Sequence, residues 1–337
     1  MEETMQRRQL IAGAAALLSP PGRVKAEATD VRIARQPSLG HLPLMIMEER
    51  ELLQKQADAR GLGRLNVGYV TLAGGAAMND ALLSNAIQFA AGGVPPMILL
   101  WSKTAGTGLE VKGVAAMNSM PLLMNTNNPA IKSLKDFKDT DKIALPAVKV
   151  SVQAFFLQMA AEQELGEAHR HDLDKLTVTL SHPDGMAALF SGQEISAHFT
   201  APPIQELEAR KPGIRTILNS FDVLGMPSTF NVVWASSKFV NANPKLTEAF
   251  MAALEEAIGI IRADKKAAAA SYLRLAKDPS DSALIEQILN DPQVNFTTTP
   301  QAMAKYYEFM ERTRLISRAP KNWKDVFFSF LHDKAGN

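Results

Sequence analysis

Polar side chains stand where several predicted strands and helices begin or end. His198 follows a predicted strand, and Asn118 and Ser119 end another. Ser151 begins a predicted helix, and Lys149 lies two residues before it. Such groups can form hydrogen bonds to a bound molecule, and a helix N-terminus attracts anions. Each residue also has a plainer interpretation that remains open. His198 could be a core histidine, and Asn118 and Ser119 could form a turn. Ser151 could be a helix cap only, and Lys149 a solvated charge.

Catalysis would need a nucleophile and a base in one cleft. A hydrolase or lyase that uses His198 with Asp184 or Ser181 is the rival hypothesis, but the sequence has no G-x-S-x-G elbow. The chain has no cysteine, which excludes thiolate metal sites, cysteine nucleophiles, disulfides and a lipidated N-terminal cysteine. The run 169–172 contains two histidines, but its charges indicate a solvated loop. We therefore expect a binding site without a metal or a cofactor.

A repeated pattern indicates which elements position these residues. Residues 65–96 and 176–203 both read as strand, helix, strand, with shared motifs in the same order: Val-Thr-Leu, two apolar residues before a serine, and a proline pair. The pattern predicts one supersecondary unit used in each of two α/β lobes, although two ordinary units in one sheet would also fit. Ligands of open α/β sheets bind at the carboxyl ends of strands, so the turns 92–95 and 198–201 are candidate ligand loops.

The length and charge of the chain bear on its number of domains and on whether it binds nucleic acid. The chain has 337 residues, of which 46% are hydrophobic, enough to form two domains. Lys and Arg number 36 against 35 Asp and Glu. Because the charge is balanced and no long basic run occurs, we expect no nucleic-acid partner.

The N-terminus has the features of a signal peptide. Arg7 and Arg8 precede the apolar run 10–18, prolines interrupt it, and residues 24–26 offer a weak small-x-small cleavage site. The run is too short for a membrane span, which needs about 20 apolar residues. We expect residues 1–26 to direct export by the general secretory or the twin-arginine route. The alternative is a frayed amphipathic N-terminus.

Two chain crossings between the lobes are predicted. The segment 131–137 is interpreted as the first crossing, so that the second lobe begins with a strand at 142–145. The strand 230–234 is interpreted as the second crossing. Four helices are predicted to follow it, at 244–264, 265–276, 280–290 and 300–313.

Taken together, these features resemble the periplasmic substrate-binding proteins of ABC importers. The phrases that carry the resemblance lie at 38–41 (SLGH), 82–95, 133–137 (SLKDF) and 245–250. Within those proteins the chain resembles the nitrate, sulfonate and taurine branch, which also includes pyrimidine-precursor binders. The resemblance implies an α/β fold of type II topology with two lobes, two crossings and a helical C-terminal return.

The resemblance also implies how the chain would work. Lobe 1 would comprise residues 29–120 and 231–337, lobe 2 residues 121–230, and a small-molecule solute would bind between them and favour a closed form. The chain would be a periplasmic monomer, not a lipoprotein, that delivers its solute to an ABC permease in the inner membrane. The implied contacts are Gly40, His41, Gly93, Val94, Pro95, Asn118, Ser119, Lys149, Ser151, His198, Phe199, Thr200 and Asn231.

Two departures from the family limit what the resemblance implies. Some relatives with this fold are enzymes, and two of them, the yeast-type pyrimidine synthases and a desulfinase, depend on cysteines, which this chain does not have. The predicted contact loops also contain no arginine, so a sulfonate, taurine or nitrate type of anion would have to be held by helix N-termini, His198 and Lys149. A neutral or aromatic solute near Phe155, Phe199 or Phe230 is the alternative. A sensor domain that reports solute occupancy would use the same cleft.

Overall fold

The chain forms two β-sheets with helices packed around them. The structure is a computed structural model that describes residues 26–278 and 280–337. The predicted signal peptide lies outside the described residues, apart from residue 26. The strands are β1 (Asp30–Arg35), β2 (Asn66–Thr71), β3 (Phe89–Gly93), β4 (Val111–Ser119), β5 (Leu123–Thr126), β6 (Ile143–Leu145), β7 (Thr177–Thr179), β8 (Ala197–Phe199), β9 (Arg215–Asn219), β10 (Thr229–Ser236) and β11 (Asn295–Phe296).

The helices surround both sheets. They are α1 (Leu42–Glu49), α2 (Leu52–Asp58), α3 (Gly75–Leu83), α4 (Val94–Thr104), α5 (Val152–Leu165), α6 (His182–Ser191), α7 (Ile204–Ala209), α8 (Ser220–Leu224), α9 (Ser237–Ala242), α10 (Pro244–Ala263), α11 (Lys265–Ala276), α12 (Ser282–Asn290) and α13 (Met303–Arg312). Among the described residues, none of these helices has the length and apolarity to cross a membrane.

The two sheets share one topology. The first has the order β11-β4-β10-β3-β1-β2 and the second β7-β6-β8-β5-β9. In the first, β10 runs antiparallel to both neighbours, β3 and β4. In the second, β5 does the same between β8 and β9. Strands β2-β1-β3-β10-β4 of the first sheet therefore correspond to β7-β6-β8-β5-β9 of the second, each set being parallel apart from one reversed strand at the equivalent place. The first sheet has a further edge strand, β11, which runs antiparallel to β4.

The repeated unit of the sequence occupies equivalent positions in the two sheets. It forms β2-α3-β3 in the first and β7-α6-β8 in the second. In both, the first strand of the unit lies at the edge of the sheet and the second lies next to the reversed strand. The interpretation as one unit per lobe agrees with this arrangement. We call the first sheet with α1–α4 and α9–α13 the first lobe, and the second sheet with α5–α8 the second lobe.

The crossings are short. The chain leaves the first sheet after Ser119 and enters the second at Leu123, and it returns between Leu224 and Thr229. The segment 131–137 joins β5 to β6 within the second sheet, so its interpretation as the first crossing is wrong. It forms a 3-10 turn in which Ser133 and Asp136 cap each other.

The helices that follow the return strand pack on the first lobe and reach the second. Helix α10 buries one face, which includes Leu246, Phe250 and Leu254, at the three- and four-residue spacing of a helix. Helix α13 contacts α5 of the second lobe, where Phe155 stacks on Tyr306 with ring centroids 5.1 Å apart. The hydroxyl of Tyr306 donates a hydrogen bond of 2.7 Å to the carbonyl of Thr229, which ties the second crossing to α13.

Candidate functional site

The lobes meet at the carboxyl ends of the parallel strands. The backbone N–H of Leu39 in the first lobe donates to the carbonyl of Pro202 in the second, at 3.0 Å. A Cβ on Gly93, at the end of β3, would lie 3.1 Å from the Cβ of Val152, the first residue of α5. The structure is therefore closed at the edge where open α/β sheets bind ligands.

The first lobe contributes a buried asparagine pair to this edge. The side-chain nitrogen of Asn118 donates to the carbonyl of Gly40, at 2.6 Å, and to Oδ1 of Asn231, at 3.2 Å. The backbone N–H of Asn231 donates to Oδ1 of Asn118, at 3.3 Å. A Cβ on Gly40 would lie 2.5 Å from Oδ1 of Asn231, so a larger residue at this position would displace the amide of Asn231 and disturb the pair. The structure thus brings three of the predicted contact residues together.

Several buried polar atoms near this pair have no hydrogen-bond partner among the described residues. They are Oγ of Ser38, both ring nitrogens of His41, Oγ of Ser119 and Nδ2 of Asn231. Ser119 pairs with Thr229 across β4 and β10, next to the pairing of Asn118 with Asn231. A buried polar group without a partner costs about 1–3 kcal/mol, so such a concentration indicates a site that receives its partners from a ligand or water.

His41 of the first lobe and His182 of the second lie close enough for His41 to lower the pKa of His182. Burial, and secondly the charge of Arg35, lowers the pKa of His41 to about 3. Burial, and then the charges of His198 and His41, lowers the pKa of His182 to about 3. Both imidazoles are therefore neutral at physiological pH, and each can offer one donor and one acceptor. Nδ1 of His182 lies 2.6 Å from Oγ1 of Thr200, which was a predicted contact residue.

Sequence analysis missed His182. The structure places His182 at the first position of α6. Its burial results from packing in the closed protein, which a single sequence does not show. The available signal was the repeat, because the segment that follows the first strand of the unit lies at the ligand-binding edge of its sheet, and His182 is three residues after the end of β7.

His198 has a different environment from the one that was predicted. It lies within β8 and not after the strand, and Nδ1 is 2.6 Å from Oε1 of Glu208 on α7. Both side chains are fully buried. A Cβ on Gly185 of α6 would lie 2.4 Å from Nε2 of His198. The imidazole is therefore packed between β8 and two helices, α6 and α7, inside the second lobe.

The remaining predicted contacts divide into buried and exposed groups. Gly93, Val94, Pro95, Ser151 and Phe199 are buried close to the ends of β3 and β8 or the start of α5. Oγ of Ser151 caps α5 by accepting the N–H of Ala154, at 3.1 Å. Lys149 is exposed, with φ at +66°, and lies in a surface groove with His171 and Asp174.

The groups of the rival enzyme hypothesis are not assembled. Oγ of Ser181 accepts the N–H of Asp184 and caps α6, whereas His198 pairs with Glu208. In the loop 169–172, His169 bonds Asp172 at 2.8 Å on the surface. Across residues 26–278 and 280–337, no group of three or more His, Asp or Glu side chains could hold a metal ion.

The topology of both sheets and their meeting edge define a periplasmic binding protein fold. Within this class, the model of the NMT1-like family matches residues 24–276, more than half of the chain, so the chain belongs to that family. A search of curated proteins gives no significant match.

Solved structures with this fold are distant in sequence. The alkanesulfonate-binding protein SsuA from Xanthomonas axonopodis pv. citri, bound to MOPS, has a TM-score of 0.67 at 19% identity, covering 87% of this chain and 96% of its own. The periplasmic aliphatic sulphonate binding protein SsuA from Escherichia coli gives 0.66 at 17% identity, covering 90% and 93%. The periplasmic nitrate-binding protein NrtA from Synechocystis PCC 6803 gives 0.59 at 16% identity, covering 78% and 70%.

Proposed function

We propose that the chain is the solute-binding receptor of an ABC importer and that it captures a small molecule between its lobes. The observation that carries this proposal is the group of buried, unpartnered polar atoms on Ser38, His41, Ser119 and Asn231 at the edge where the lobes meet. Family membership and the likeness of the fold to sulfonate- and nitrate-binding proteins support it. The lobes would be residues 29–120 with 231–337, and residues 121–230.

The side chains at the site bear on the charge of the solute. Ser38, His41, Ser119 and Asn231 are all neutral, since the pKa of His41 is lowered to about 3. They favour a neutral solute with hydrogen-bonding groups, which was the alternative from the sequence. A sulfonate, taurine or nitrate type of anion would need a cation, and Lys149 is exposed.

Arg35 is the cation that could serve an anionic solute. It ends β1, and its charge acts on His41. One terminal nitrogen bonds Glu48 at 2.5 Å, while the other, Nη1, is buried without a partner among the described residues. Arg35 lies at the end of β1 and not in the predicted contact loops, which contain no arginine.

The proposal assigns binding and not catalysis to this chain. Release of the solute would follow docking on an ABC permease in the inner membrane, and the solute would leave unchanged. We further propose that the mature protein is a periplasmic monomer, exported by residues 1–26 and not lipidated.

A thermal-shift screen tests the proposal. Nitrate, sulfonates, taurine, aromatic carboxylates and pyrimidines are added to the mature protein, and mass spectrometry then analyses each compound that raises the melting temperature. A solute at a hundredfold its dissociation constant stabilises by about 2.7 kcal/mol, a rise of several degrees. We expect the compound to be recovered unchanged. Conversion to a product would contradict a binding function.

A further inference from the structure

His182 and Thr200 form a buried pair in the second lobe, at the edge where the lobes meet. His182 begins α6, Thr200 directly follows β8, and only 3% and 0% of the two residues are exposed. Nδ1 of His182 lies 2.6 Å from Oγ1 of Thr200. The backbone N–H of Thr200 donates to the carbonyl of Leu123, at 3.1 Å. The pair is therefore held by the sheet of the second lobe, beside the first crossing.

Unpartnered groups of the first lobe lie across the closed edge from this pair. The carbonyl of Pro202, two residues beyond the threonine of the pair, accepts the backbone N–H of Leu39, at 3.0 Å. Ser38 and His41 lie on either side of Leu39 in the chain, and their side chains have no partner within the described part of the protein. His41 also acts on the pKa of His182, so the two imidazoles are near each other. The pair therefore borders the proposed solute site.

The hydrogen bonds of Thr200 bear on which ring nitrogen of His182 carries the proton. A hydroxyl has one O–H donor, and a neutral imidazole has one N–H donor and one acceptor nitrogen. Across residues 26–278 and 280–337, Nδ1 of His182 is the one side-chain partner of Oγ1. If Nδ1–H donated to Oγ1, the buried O–H would have no acceptor there, which is costly. Donation by the O–H to Nδ1 avoids this cost and places the imidazole proton on Nε2.

His198 does not compete for this proton. The ring centroids of His182 and His198 are 6.2 Å apart, and Nδ1 of His198 bonds Glu208, at 2.6 Å. Nε2 of His198 is buried and bonds none of the described residues, so it accepts nothing from His182. Because the two nitrogens of an imidazole point in different directions, Nε2 of His182 points away from the end of β8, where Nδ1 is bonded.

The unpartnered groups around the site are better supplied with donors than with acceptors. Nδ2 of Asn231 carries two N–H donors and no acceptor. Ser38, His41 and Ser119 can act in either role. An Nε2–H on His182 adds a donor from the second lobe. A solute with acceptor atoms satisfies all these groups, whereas a solute with donors only leaves Asn231 and His182 unsatisfied.

We propose that His182 contacts the solute as a hydrogen-bond donor through Nε2, and that Thr200 is a positioning residue that holds the imidazole in this tautomer. The inference rests on the proposed solute site between the lobes. The solute then carries an acceptor, such as a carbonyl oxygen, an acid oxygen or a ring nitrogen, on the side that faces the second lobe. Alkylammonium ions, whose polar groups are donors only, are not ligands of this site.

Nitrogen-15 NMR of the imidazoles tests the tautomer in the mature chain without a solute. Protonated and unprotonated ring nitrogens give well-separated signals, and the signals lost in His182→Phe identify His182 among the six histidines. At neutral pH, Nε2 should be protonated in the parent and in Thr200→Ser, which keeps the hydroxyl. In Thr200→Val the other tautomer should also be populated, because the hydroxyl is missing.

Thr126→Val is the matched control for this measurement. Thr126 is also buried, and its hydroxyl donates to the carbonyl of Ser196, at 2.6 Å, at the opposite end of β5 from Leu123. This variant should keep the tautomer of the parent. A proton on Nδ1 of His182 in the parent, or a tautomer that is unchanged in Thr200→Val, would refute the inference.

A thermal-shift titration tests the contact with the solute. The probes are nitrate, sulfonates, taurine, aromatic carboxylates and pyrimidines, all of which carry acceptors, and ethylammonium, whose polar group has donors only. For a compound that binds the parent, His182→Phe should raise the dissociation constant about tenfold, the value of one hydrogen bond. His182→Gln should bind more tightly than His182→Phe, because its side-chain N–H can replace Nε2–H.

The outcomes separate this inference from the proposed function. Equal affinity of the parent and His182→Phe would refute the contact and leave the receptor function intact. Stabilisation of the parent by ethylammonium would refute the requirement for an acceptor. The absence of any shift in the parent across the acceptor-bearing probes would contradict the proposed function, and the inference with it.

Discussion

Replacing His198 by alanine should destabilise the protein strongly, although the sequence alone indicated a residue that contacts the solute. The imidazole is fully buried, with Nδ1 2.6 Å from Oε1 of Glu208. Its removal leaves the Glu208 carboxylate buried, and among the described residues the one remaining side-chain hydrogen bond to it comes from Asn125, at 3.0 Å. Breaking a buried pair by removing one partner costs about 3–5 kcal/mol. We expect a loss of that size.

Urea denaturation of the parent, His198→Ala, Glu208→Gln and the double variant measures both the loss and its cause. If the pair is the cause, the double variant should lose clearly less than the sum of the two single losses. His169→Ala, on the surface, should change stability by less than about 0.5 kcal/mol. A loss below about 1 kcal/mol in His198→Ala, or additive losses in the cycle, would refute the structural role assigned to this histidine.

Two further substitutions test local packing by urea denaturation. Gly40→Ala would place a Cβ 2.5 Å from Oδ1 of Asn231 and should lower the free energy of unfolding by about 1–3 kcal/mol. Gly259→Ala is the control, because it has open space around it in α10 and should be neutral or stabilising. Equal effects of the two substitutions would contradict the close approach at Gly40. Tyr306→Phe removes the hydroxyl that donates to Thr229 and should cost about 1 kcal/mol, and an unchanged midpoint would show that this bond adds nothing.

Local patterns made much of the fold predictable. The repeated unit could be identified because its strands, helix and proline pair lie within about 30 residues, and the structure places both copies at equivalent positions. The helix 244–264 was predicted within one residue of α10. Its proline at the first turn and its regular apolar spacing are properties of the segment itself.

Contacts between distant segments were not predictable. The first crossing is only three residues long, 120–122, and carries no motif. The segment 131–137 was predicted to be the crossing because Ser133 and Asp136 form a recognisable pattern, but that pattern belongs to a capped turn. The burial of His182 and the pairing of His198 with Glu208 depend on how the helices of the second lobe pack. One sequence does not contain that information.

The position of the site between the lobes is the central claim, and titration calorimetry tests it most directly. The solute identified by thermal shift is titrated into the parent, His41→Ala and Asn231→Ala. His332→Ala is the control, because Nε2 of His332 bonds the carbonyls of Lys324 and Phe327 in the C-terminal segment. We predict one solute per chain, a dissociation constant raised at least tenfold in the two site variants, and no change in the control. Parent affinity in both site variants would contradict the claim.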